Sequence, residues 1–252
     1  MKRVFPALAF VILVIGAWEG IVYFSSVPEY LLPAPSVIVK RLLALNIEIL
    51  SHTAYTALEA TLGFIMGSAF GFLLAVAFVH SHTLELGIYP YAIALKTVPI
   101  VAIAPLLVVW FGNGVLPKVI VSAIISFFPV VVNTTKGLRS VYSEAFDLFD
   151  SMSATRRQVF FKLRVPSALP YLFAALRISS TLAVIGAIVG EFSGADKGLG
   201  FFILISSYRL ETVDMFVGIL VSSLLGILFF YSVAILERIV VPWEQGTTTE
   251  AI

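Results

Sequence analysis

Six stretches of this chain are apolar over a length that can cross a lipid bilayer. One helical crossing needs about 20 predominantly apolar residues. The stretches cover approximately residues 4–24, 57–79, 86–111, 116–133, 171–190 and 215–236. Because lipid offers no hydrogen-bond partners to the backbone, such segments cross it as helices. The sequence therefore predicts an all-α integral membrane protein with about six transmembrane helices and both termini on one side.

The composition excludes several classes of protein. The chain has 252 residues, of which 60% are hydrophobic and 12% charged, whereas a soluble domain carries about 25% charged residues. It contains no cysteine, which excludes disulfides and thiol catalysis. The net charge is +1, and no cluster of lysines and arginines predicts a nucleic-acid interface. We expect a single transmembrane domain over residues 1–252, with a first span and connection (1–56) and a core (57–240).

Residues 143–170 form the longest polar interval in the chain and predict a helical hairpin. Four apolar residues recur at helical spacing in its first half, namely Ala145, Leu148, Phe149 and Met152. Ser143 is predicted to cap the first helix. Thr155 and Gln158 have the spacing of a capping box at the start of the second helix, and Pro166 is predicted to end it. The hairpin is either a solvated or headgroup-bound loop or a docking element for a partner.

The distribution of positive charge predicts the orientation in the membrane. Nine basic residues fall on the side of the N-terminus and the hairpin, namely Lys2, Arg3, Lys136, Arg139, Arg156, Arg157, Lys162, Arg164 and Arg238. Five fall on the other side, namely Lys40, Arg41, Lys118, Lys197 and Arg209. Because cytoplasmic loops carry the excess of Lys and Arg, we expect the hairpin and both termini in the cytoplasm. No clear signal-peptide cleavage site follows the first apolar run, so we expect it to remain as a span.

Small and ionisable residues within the spans are the remaining candidates for function. Five glycines have the spacing that permits close helix packing, either within the chain or against a second copy: Gly63, Gly67, Gly71, Gly186 and Gly190. Charged residues in spans face protein or water, or extend to the interface from span ends; here these are Glu19, Glu59, Lys96, Arg177 and Glu191. We take Lys96, Arg177, Ser180 and Glu191 as candidates for a translocation path.

Sequence motifs of catalysis are absent from the chain. It has no Gly-x-x-x-x-Gly-Lys-Ser/Thr motif, and the glycine group at Gly194–Gly200 has its lysine in the wrong place. It also lacks His-Glu-x-x-His and Gly-x-Ser-x-Gly, and its three histidines are not spaced with carboxylates as metal ligands. We therefore expect no enzymatic activity, metal or cofactor in this chain. The residues by themselves leave open a proton-coupled secondary transporter and a membrane scaffold or channel.

The hairpin resembles the cytoplasmic coupling loop of permease subunits of bacterial ATP-binding-cassette (ABC) importers. The pattern of that loop is Glu-Ala-Ala, three residues, Gly, about nine residues, and Ile-x-Leu-Pro. Asp147-Leu148-Phe149 stands at Glu-Ala-Ala, and Val165-Pro166 with Leu169-Pro170 stands at the closing prolines. Two positions depart from the pattern. Ser153 replaces the glycine, so the turn either does not require positive φ or tolerates serine at a cost, and Phe149 replaces a small residue.

Four further segments extend the resemblance over nearly the whole chain. LKTVPIVAIAPLLVVWFGNG, FFPVVVNTTKGLRSV, LRISSTLAVIGAIVGEF and GLGFFI resemble the nitrate, sulfonate and taurine branch of importer permeases, which includes transporters of thiamine-pyrimidine precursors and riboflavin. The resemblance implies a type I ABC importer permease in the inner membrane of a prokaryote. It implies a homodimer, two cytoplasmic ATPase subunits that bind ATP and Mg²⁺, and an extracytoplasmic substrate-binding protein. The implied ATPase-coupling residues are Asp147, Phe149, Asp150, Ser153, Ala154, Thr155, Arg156, Arg157, Val159 and Phe160.

Overall fold

The computed structural model describes residues 4–44 and 46–244, and every regular element within them is a helix. The helices are α1 (Val4–Phe24), α2 (Pro35–Ala44), α3 (Asn46–His80), α4 (His82–Thr97), α5 (Ile100–Phe111), α6 (Val115–Leu138), α7 (Ser143–Ser151), α8 (Arg156–Val159), α9 (Val165–Phe192), α10 (Leu199–Tyr208) and α11 (Thr212–Val240). A π-helical turn (Phe160–Arg164) joins α8 to α9, and a short 3₁₀ turn (Pro242–Glu244) follows α11. The all-α prediction is confirmed.

Three long helices, α3, α6 and α9, pack together at the centre of the bundle. Serine hydroxyls join them: Ser122 Oγ on α6 donates to the carbonyl of Ala183 on α9 at 2.9 Å. Ser179 Oγ on α9 donates to the carbonyl of Ser126 on α6 at 2.7 Å. Apolar side chains gain little by leaving lipid for protein, so small residues and interhelical hydrogen bonds stabilise such contacts.

The five predicted packing glycines all lie against α6. A Cβ atom on Gly71 of α3 would lie 2.9 Å from the Phe127 carbonyl oxygen, and one on Gly63 or Gly67 would lie closer still to α6. On α9, a Cβ atom on Gly186 would lie 2.7 Å from Ser122 Cα. The structure therefore places these glycines in contacts within one chain. A role for them against a second copy stays a prediction.

The outer helices are attached by polar contacts at the end of the bundle opposite the hairpin. Glu19 of α1 accepts hydrogen bonds from the backbone N–H and the hydroxyl of Ser36, in the first turn of α2, at 3.0 and 2.6 Å. Arg41 of α2 forms a bidentate ion pair with Asp214 of α11, with Nε–Oδ1 and Nη2–Oδ2 distances of 2.5 and 2.8 Å. These contacts position α2 across the ends of α1 and α11.

Within the described part of the chain, four helices are long and apolar enough to cross a membrane, namely Ile47–His80, Val115–Leu138, Arg156–Phe192 and Thr212–Val240. The predicted first span coincides with α1. The predicted span 86–111 is divided between α4 and α5 at Val98 and Pro99. Proline lacks an N–H and disfavours helical geometry in the residue before it, which accounts for the break. Pro90 and Pro105 remain inside their helices.

Two helices extend beyond the predicted apolar stretches or lie outside them. The stretch over residues 57–79 is only the second part of α3, because this helix already begins at Asn46, two residues after the end of α2 at Ala44. The first turns of α3 are polar, so hydropathy alone did not predict them as part of this helix. Contacts with other helices stabilise them. The ten-residue helix α10 was not predicted, since it is too short to count as a span.

Candidate functional site

The predicted hairpin is present, with a different start. The helix α7 begins at Ser143 itself, Tyr142 occupies the N-cap, and no side chain caps it, so the predicted cap by Ser143 is wrong. The capping box of the second helix is formed. The N–H of Gln158 donates to Thr155 Oγ1 at 3.3 Å, and the N–H of Thr155 donates to Gln158 Oε1 at 2.8 Å.

The turn between the two helices does require positive φ. Ser153 has φ of +53°, and its N–H donates to the Asp150 carbonyl at 2.8 Å. The N–H of Ala154 closes the turn by donating to the Phe149 carbonyl at 3.0 Å. A left-handed conformation costs a non-glycine residue about 1–2 kcal/mol. The serine thus preserves the turn that glycine makes in the family pattern, at some cost in stability.

The second helix of the hairpin does not end at Pro166, contrary to the prediction. One π-helical turn covers Phe160–Arg164, in which the N–H of Val165 donates to the Phe160 carbonyl, and α9 follows without a break. The π-helical turn directly before Pro166 accommodates the missing N–H of the proline, as local adjustments of this kind do in membrane helices. The result is one continuous helix from residue 156 to residue 192. The second helix of the hairpin therefore continues directly into the centre of the bundle.

The ten implied coupling residues divide by exposure. Asp147, Asp150, Ser153, Thr155, Arg156 and Arg157 are exposed, and Phe149, Ala154, Val159 and Phe160 are half-buried. Apolar side chains also remain open beside them: Leu148 is 58% exposed and Met152 71%. Exposed apolar side chains next to charged ones form a surface that suits a protein partner.

Aromatic contacts attach the hairpin to the bundle. The Phe160 ring lies 5.1 Å from the His80 ring at the end of α3. Within the hairpin, the Arg164 guanidinium lies 5.1 Å from the centre of the Phe146 ring, which joins its two helices. The hairpin is thus a structured extension of the bundle.

A charged pair also joins α4 to α6 near the hairpin. Arg139 donates to both carboxylate oxygens of Glu85 at 2.7 Å. This hydrogen bonding lowers the pKa of Glu85, which lies outside the candidate spans, below its ordinary value of 4.5. The pair therefore remains ionised at neutral pH. Arg139 also donates to the Phe78 carbonyl of α3 at 3.3 Å, so it links the end of α3 to the start of α4.

Of the three candidate path residues whose side chains are described, Arg177 and Ser180 lie together and Glu191 lies apart from them. Arg177 pairs with Glu237 of α11 at 3.2 Å, and the hydroxyl of Ser180 donates to the Arg177 carbonyl at 2.8 Å. Glu191 lies 14 residues further along the same helix, a distance of about 21 Å. The side chain of Lys96 lies outside the described residues.

Glu191 instead occupies a buried polar cluster at the end of the bundle opposite the hairpin. Its side chain accepts a hydrogen bond from Thr56 Oγ1 at 2.6 Å and another from the N–H of Gly200. Thr56 Oγ1 in turn accepts from the N–H of Leu199 at 2.7 Å, and His52 Nδ1 accepts from the N–H of Gly198 at 3.0 Å. The start of α10 is thereby held by α3 and α9.

Two further charged residues belong to this cluster. Glu59 is 3% exposed, and its buried Oε2 has no hydrogen-bond partner. Lys118, expected as a flanking charge, is in fact 1% exposed, and its ammonium donates to the carbonyls of Asn113 and Gly114 at 2.6 and 3.0 Å. Sequence reasoning missed this cluster. The i, i+4, i+7 spacing of His52, Thr56 and Glu59 could have revealed a polar face on α3.

An apolar cavity of about 790 Å³ opens among α3, α4, α5, α6 and α9. Its aromatic lining consists of Phe70 on α3 and Phe127 and Phe128 on α6. Leu182 on α9 and Val98 at the break between α4 and α5 are also part of the wall. Among the described residues, none that line this cavity carries a charge. The volume lies within the range of pockets that bind small molecules.

Comparison with known proteins identifies the class. The model of the family described as binding-protein-dependent transport system inner membrane components matches residues 67–242. A chain of the MetNI methionine ABC transporter, solved in inward-facing conformations, has the same fold. The TM-score is 0.59 at 22% identity, over 74% of this chain and 91% of that chain.

Three relatives are similar over nearly their whole length. The formylaminopyrimidine transport permease protein ThiX of Halalkalibacterium halodurans is 38% identical, covering 97% of this chain and 99% of the relative. The riboflavin transport system permease protein RibX of Chloroflexus aurantiacus is 34% identical, covering 96% and 92%. A putative aliphatic sulfonates transport permease protein, SsuC of Bacillus subtilis, is 31% identical, covering 92% and 85%.

The chain belongs to the family of binding-protein-dependent transport system inner membrane components. It is a transmembrane permease subunit of an ABC importer that moves a small solute, and the resemblance seen in its sequence is confirmed. Subunits of this family are non-catalytic, multi-pass proteins of the inner membrane. The alternatives of a secondary transporter and a scaffold or channel are thereby set aside. Within residues 4–44 and 46–244, no three His, Asp or Glu side chains form a group that could hold a metal ion.

Proposed function

We propose that the solute is a small, uncharged nitrogen heterocycle of the pyrimidine type, and that it crosses along the apolar cavity. The observation that carries this proposal is the lining of the cavity, which has three phenylalanines and, among the described residues, no charge. Planar heterocycles stack on aromatic rings, whereas a sulfonate or nitrate ion would need cationic or hydrogen-bonding partners. The relative at 38% identity, ThiX, is a formylaminopyrimidine permease, in agreement with this chemistry.

Phe70 provides a test of the cavity. Replacing it with alanine is expected to reduce uptake of a radiolabelled formylaminopyrimidine about fivefold or more, because stacking of a base on an aromatic ring contributes about 1–3 kcal/mol. Uptake is measured in proteoliposomes that contain the complete importer. The matched control is Phe10→Ala on α1, whose side chain is exposed to a similar degree (67%, against 62% for Phe70) but does not line the cavity. Equal uptake by both variants, or transport of taurine in preference to the pyrimidine, would contradict the proposal.

The hairpin is proposed to face the cytoplasm and to dock onto a separate ATPase subunit. A homodimer of this chain would then dock two such subunits, which bind ATP and Mg²⁺ and hydrolyse the nucleotide. An extracytoplasmic binding protein would deliver the solute at the other end of the bundle. Three features support this arrangement: the excess of basic residues on the hairpin side, the exposed apolar and charged surface of the hairpin, and the unbroken helix from residue 156 into the bundle.

The absence of cysteine makes the orientation simple to measure. In intact cells, a single cysteine at Arg156 is expected to resist a membrane-impermeant maleimide and to react once the cells are permeabilised. A cysteine at Lys197, which lies near the opposite end of the bundle beside Tyr55, is the matched control and should react in intact cells. Both termini should share the protection of Arg156. Labelling of the Arg156 position from outside would refute the proposed orientation.

A further inference from the structure

A second cavity, an open groove of about 620 Å³, lies at the end of the bundle opposite the hairpin and shares no residue with the apolar cavity. One wall is the connection between α1 and α2, with Glu29 and Tyr30. The facing wall is the connection between α10 and α11, with Leu210 and Glu211. The two connections are joined, because Thr212 Oγ1 donates to the Tyr30 carbonyl at 2.5 Å. The groove therefore has a fixed shape.

Leu210 has a backbone conformation that disfavours leucine. Its φ is +58°, and it follows the last turn of α10 in a Schellman motif. The N–H of Leu210 donates to the Ser207 carbonyl at 3.1 Å, and the N–H of Glu211 donates to the Ser206 carbonyl at 2.9 Å. Glycine is the usual residue at this position, because a Cβ atom makes the left-handed conformation costly. The chain thus carries backbone strain here that glycine would remove.

Burial of the Leu210 side chain does not offset this strain, because the side chain is 73% exposed. The rings of Tyr30 in the groove and of Tyr208 at the end of α10 are exposed as well. Exposed apolar side chains grouped at an open groove are typical of an interaction site. Backbone strain likewise persists where function uses the strained residue. Both observations point to a contact between Leu210 and another molecule.

The charges of the groove indicate the chemistry of that molecule. Five charged residues line it, namely Glu29, Glu211, Asp214, Lys40 and Arg41. Asp214 is neutralised by its ion pair with Arg41, and Lys40 acts electrostatically on Glu19 of α1. In the part of the chain that the structure describes, neither Glu29 nor Glu211 forms a salt bridge. The groove is therefore acidic and complements a partner that presents a basic side chain beside an apolar one.

The same charges disfavour two other occupants. Anionic lipid headgroups would be repelled by the carboxylates of Glu29 and Glu211. A second copy of this chain, related by a two-fold axis through the groove, would place two identical acidic surfaces against each other. A water-soluble protein with a basic surface residue meets neither obstacle. The family to which the chain belongs is described as binding-protein-dependent, which supplies such a partner.

We propose that this groove is the docking site of the extracytoplasmic binding protein, with Leu210 and Tyr30 as its apolar contacts and Glu29 and Glu211 as its charged ones. The binding protein then presents a lysine or arginine next to an apolar side chain. This proposal rests on the proposed function, which supplies the binding protein and the outward position of this end of the bundle. The Schellman motif holds Leu210 in the open before docking, so little conformational freedom is lost on binding.

Replacing Leu210 with glycine separates docking from stability. In the complete importer in nanodiscs, the affinity for the binding protein loaded with formylaminopyrimidine is expected to fall about tenfold, because a leucine is no longer buried in the contact. The melting temperature is expected to stay equal or to rise by up to about 4 °C, because the strain is relieved. Titration of the binding protein and thermal unfolding measure the two effects.

Ser26→Gly is the matched control. Ser26 has φ of +49° just after α1, and the N–H of Val27 donates to the Val22 carbonyl across it at 3.4 Å. Its side chain is also exposed, but it is polar and does not line the groove. The control should show the same small effect on the melting temperature and an unchanged affinity for the binding protein.

A change of charge provides an independent test. Glu211→Lys is expected to weaken docking about tenfold or more, because like charges would then face each other in the contact. Glu144→Lys makes the same change on α7, at the opposite end of the bundle, and should leave the affinity unchanged. Docking to the wild type should weaken as salt is added, and docking to the Glu211→Lys variant should not.

The outcomes distinguish this proposal from the proposed function. A wild-type importer whose ATP hydrolysis does not respond to the loaded binding protein would contradict the proposed function itself. A wild type that responds, together with wild-type affinity of Leu210→Gly and Glu211→Lys, would overturn the docking site alone. Poor membrane insertion of Leu210→Gly, or loss of its dimer, would assign the side chain to lipid or to a second copy and would also overturn it.

Discussion

Replacing Ala154 with glutamate is expected to reduce solute uptake by about a hundredfold without preventing insertion of the chain into the membrane. Ala154 is half-buried in the turn between α7 and α8, beside the exposed apolar surface formed by Leu148 and Met152. If an ATPase subunit seats on this turn, a new carboxylate would be buried in the contact without a partner. Such a charge costs about 3–5 kcal/mol, which corresponds to a loss of docking of more than about a hundredfold.

The two activities of the complex separate this effect from misfolding. In proteoliposomes with the ATPase subunits and the binding protein, uptake should fall, and ATP hydrolysis should no longer respond to the loaded binding protein. The Ala154→Ser variant adds one small hydroxyl at the same site and should behave as the wild type. Unchanged uptake by Ala154→Glu would show that the turn is not part of the docking surface. Loss of the chain from the membrane would show that the residue is needed for folding instead.

Replacing Gly67 with alanine is expected to lower the melting temperature of the chain by about 5–10 °C. A Cβ atom at this position would lie 2.5 Å from Ser126 Oγ and 3.1 Å from the carbonyl carbon of Ala123, inside the contact distance of either atom. Because the backbone of α6 cannot yield as a flexible side chain would, α3 and α6 have to separate. Overpacking of this kind costs about 1–3 kcal/mol, and 1 kcal/mol shifts the melting temperature of a chain of this length by about 2–4 °C.

Gly16→Ala on α1 is the matched control, since a Cβ atom there has no other atom within 4 Å. Alanine is the better helix former, so this variant should be as stable as the wild type or slightly more so. Thermal unfolding in detergent, followed by size-exclusion chromatography, measures both variants. Equal melting temperatures would mean that α3 and α6 do not approach as closely as the structure shows.

The hairpin shows which features can be read from local sequence. The capping box of Thr155 and Gln158 depends on residues three positions apart, so their types and spacing predict it. The sequence left the positive φ of Ser153 open, and the structure decided it. The end of the second helix did not follow the same rule. Pro166 would stop an isolated helix, but here a π-helical turn precedes it and the helix continues into the bundle.

The buried cluster shows the limit of such prediction. Glu191 and Thr56 are 135 positions apart, and neither hydropathy nor motif spacing indicates that they meet. Lys118 was expected among the charges outside the membrane, on the side opposite the hairpin, because in the sequence it lies at the edge of a predicted span. Its burial results from the close approach of α9, where Gly190 lies against Lys118 Cα.

The sequence alone determined that this chain is a bundle of apolar helices with a polar hairpin and no catalytic motif, because hydropathy, caps and turns are properties of short segments. The residues resembling the importer permeases indicated its class in the same way. Only the tertiary structure decided which side chains meet inside the bundle. These side-chain contacts depend on how each helix is rotated about its axis. That rotation is set by the contacts between glycines and serines of different helices.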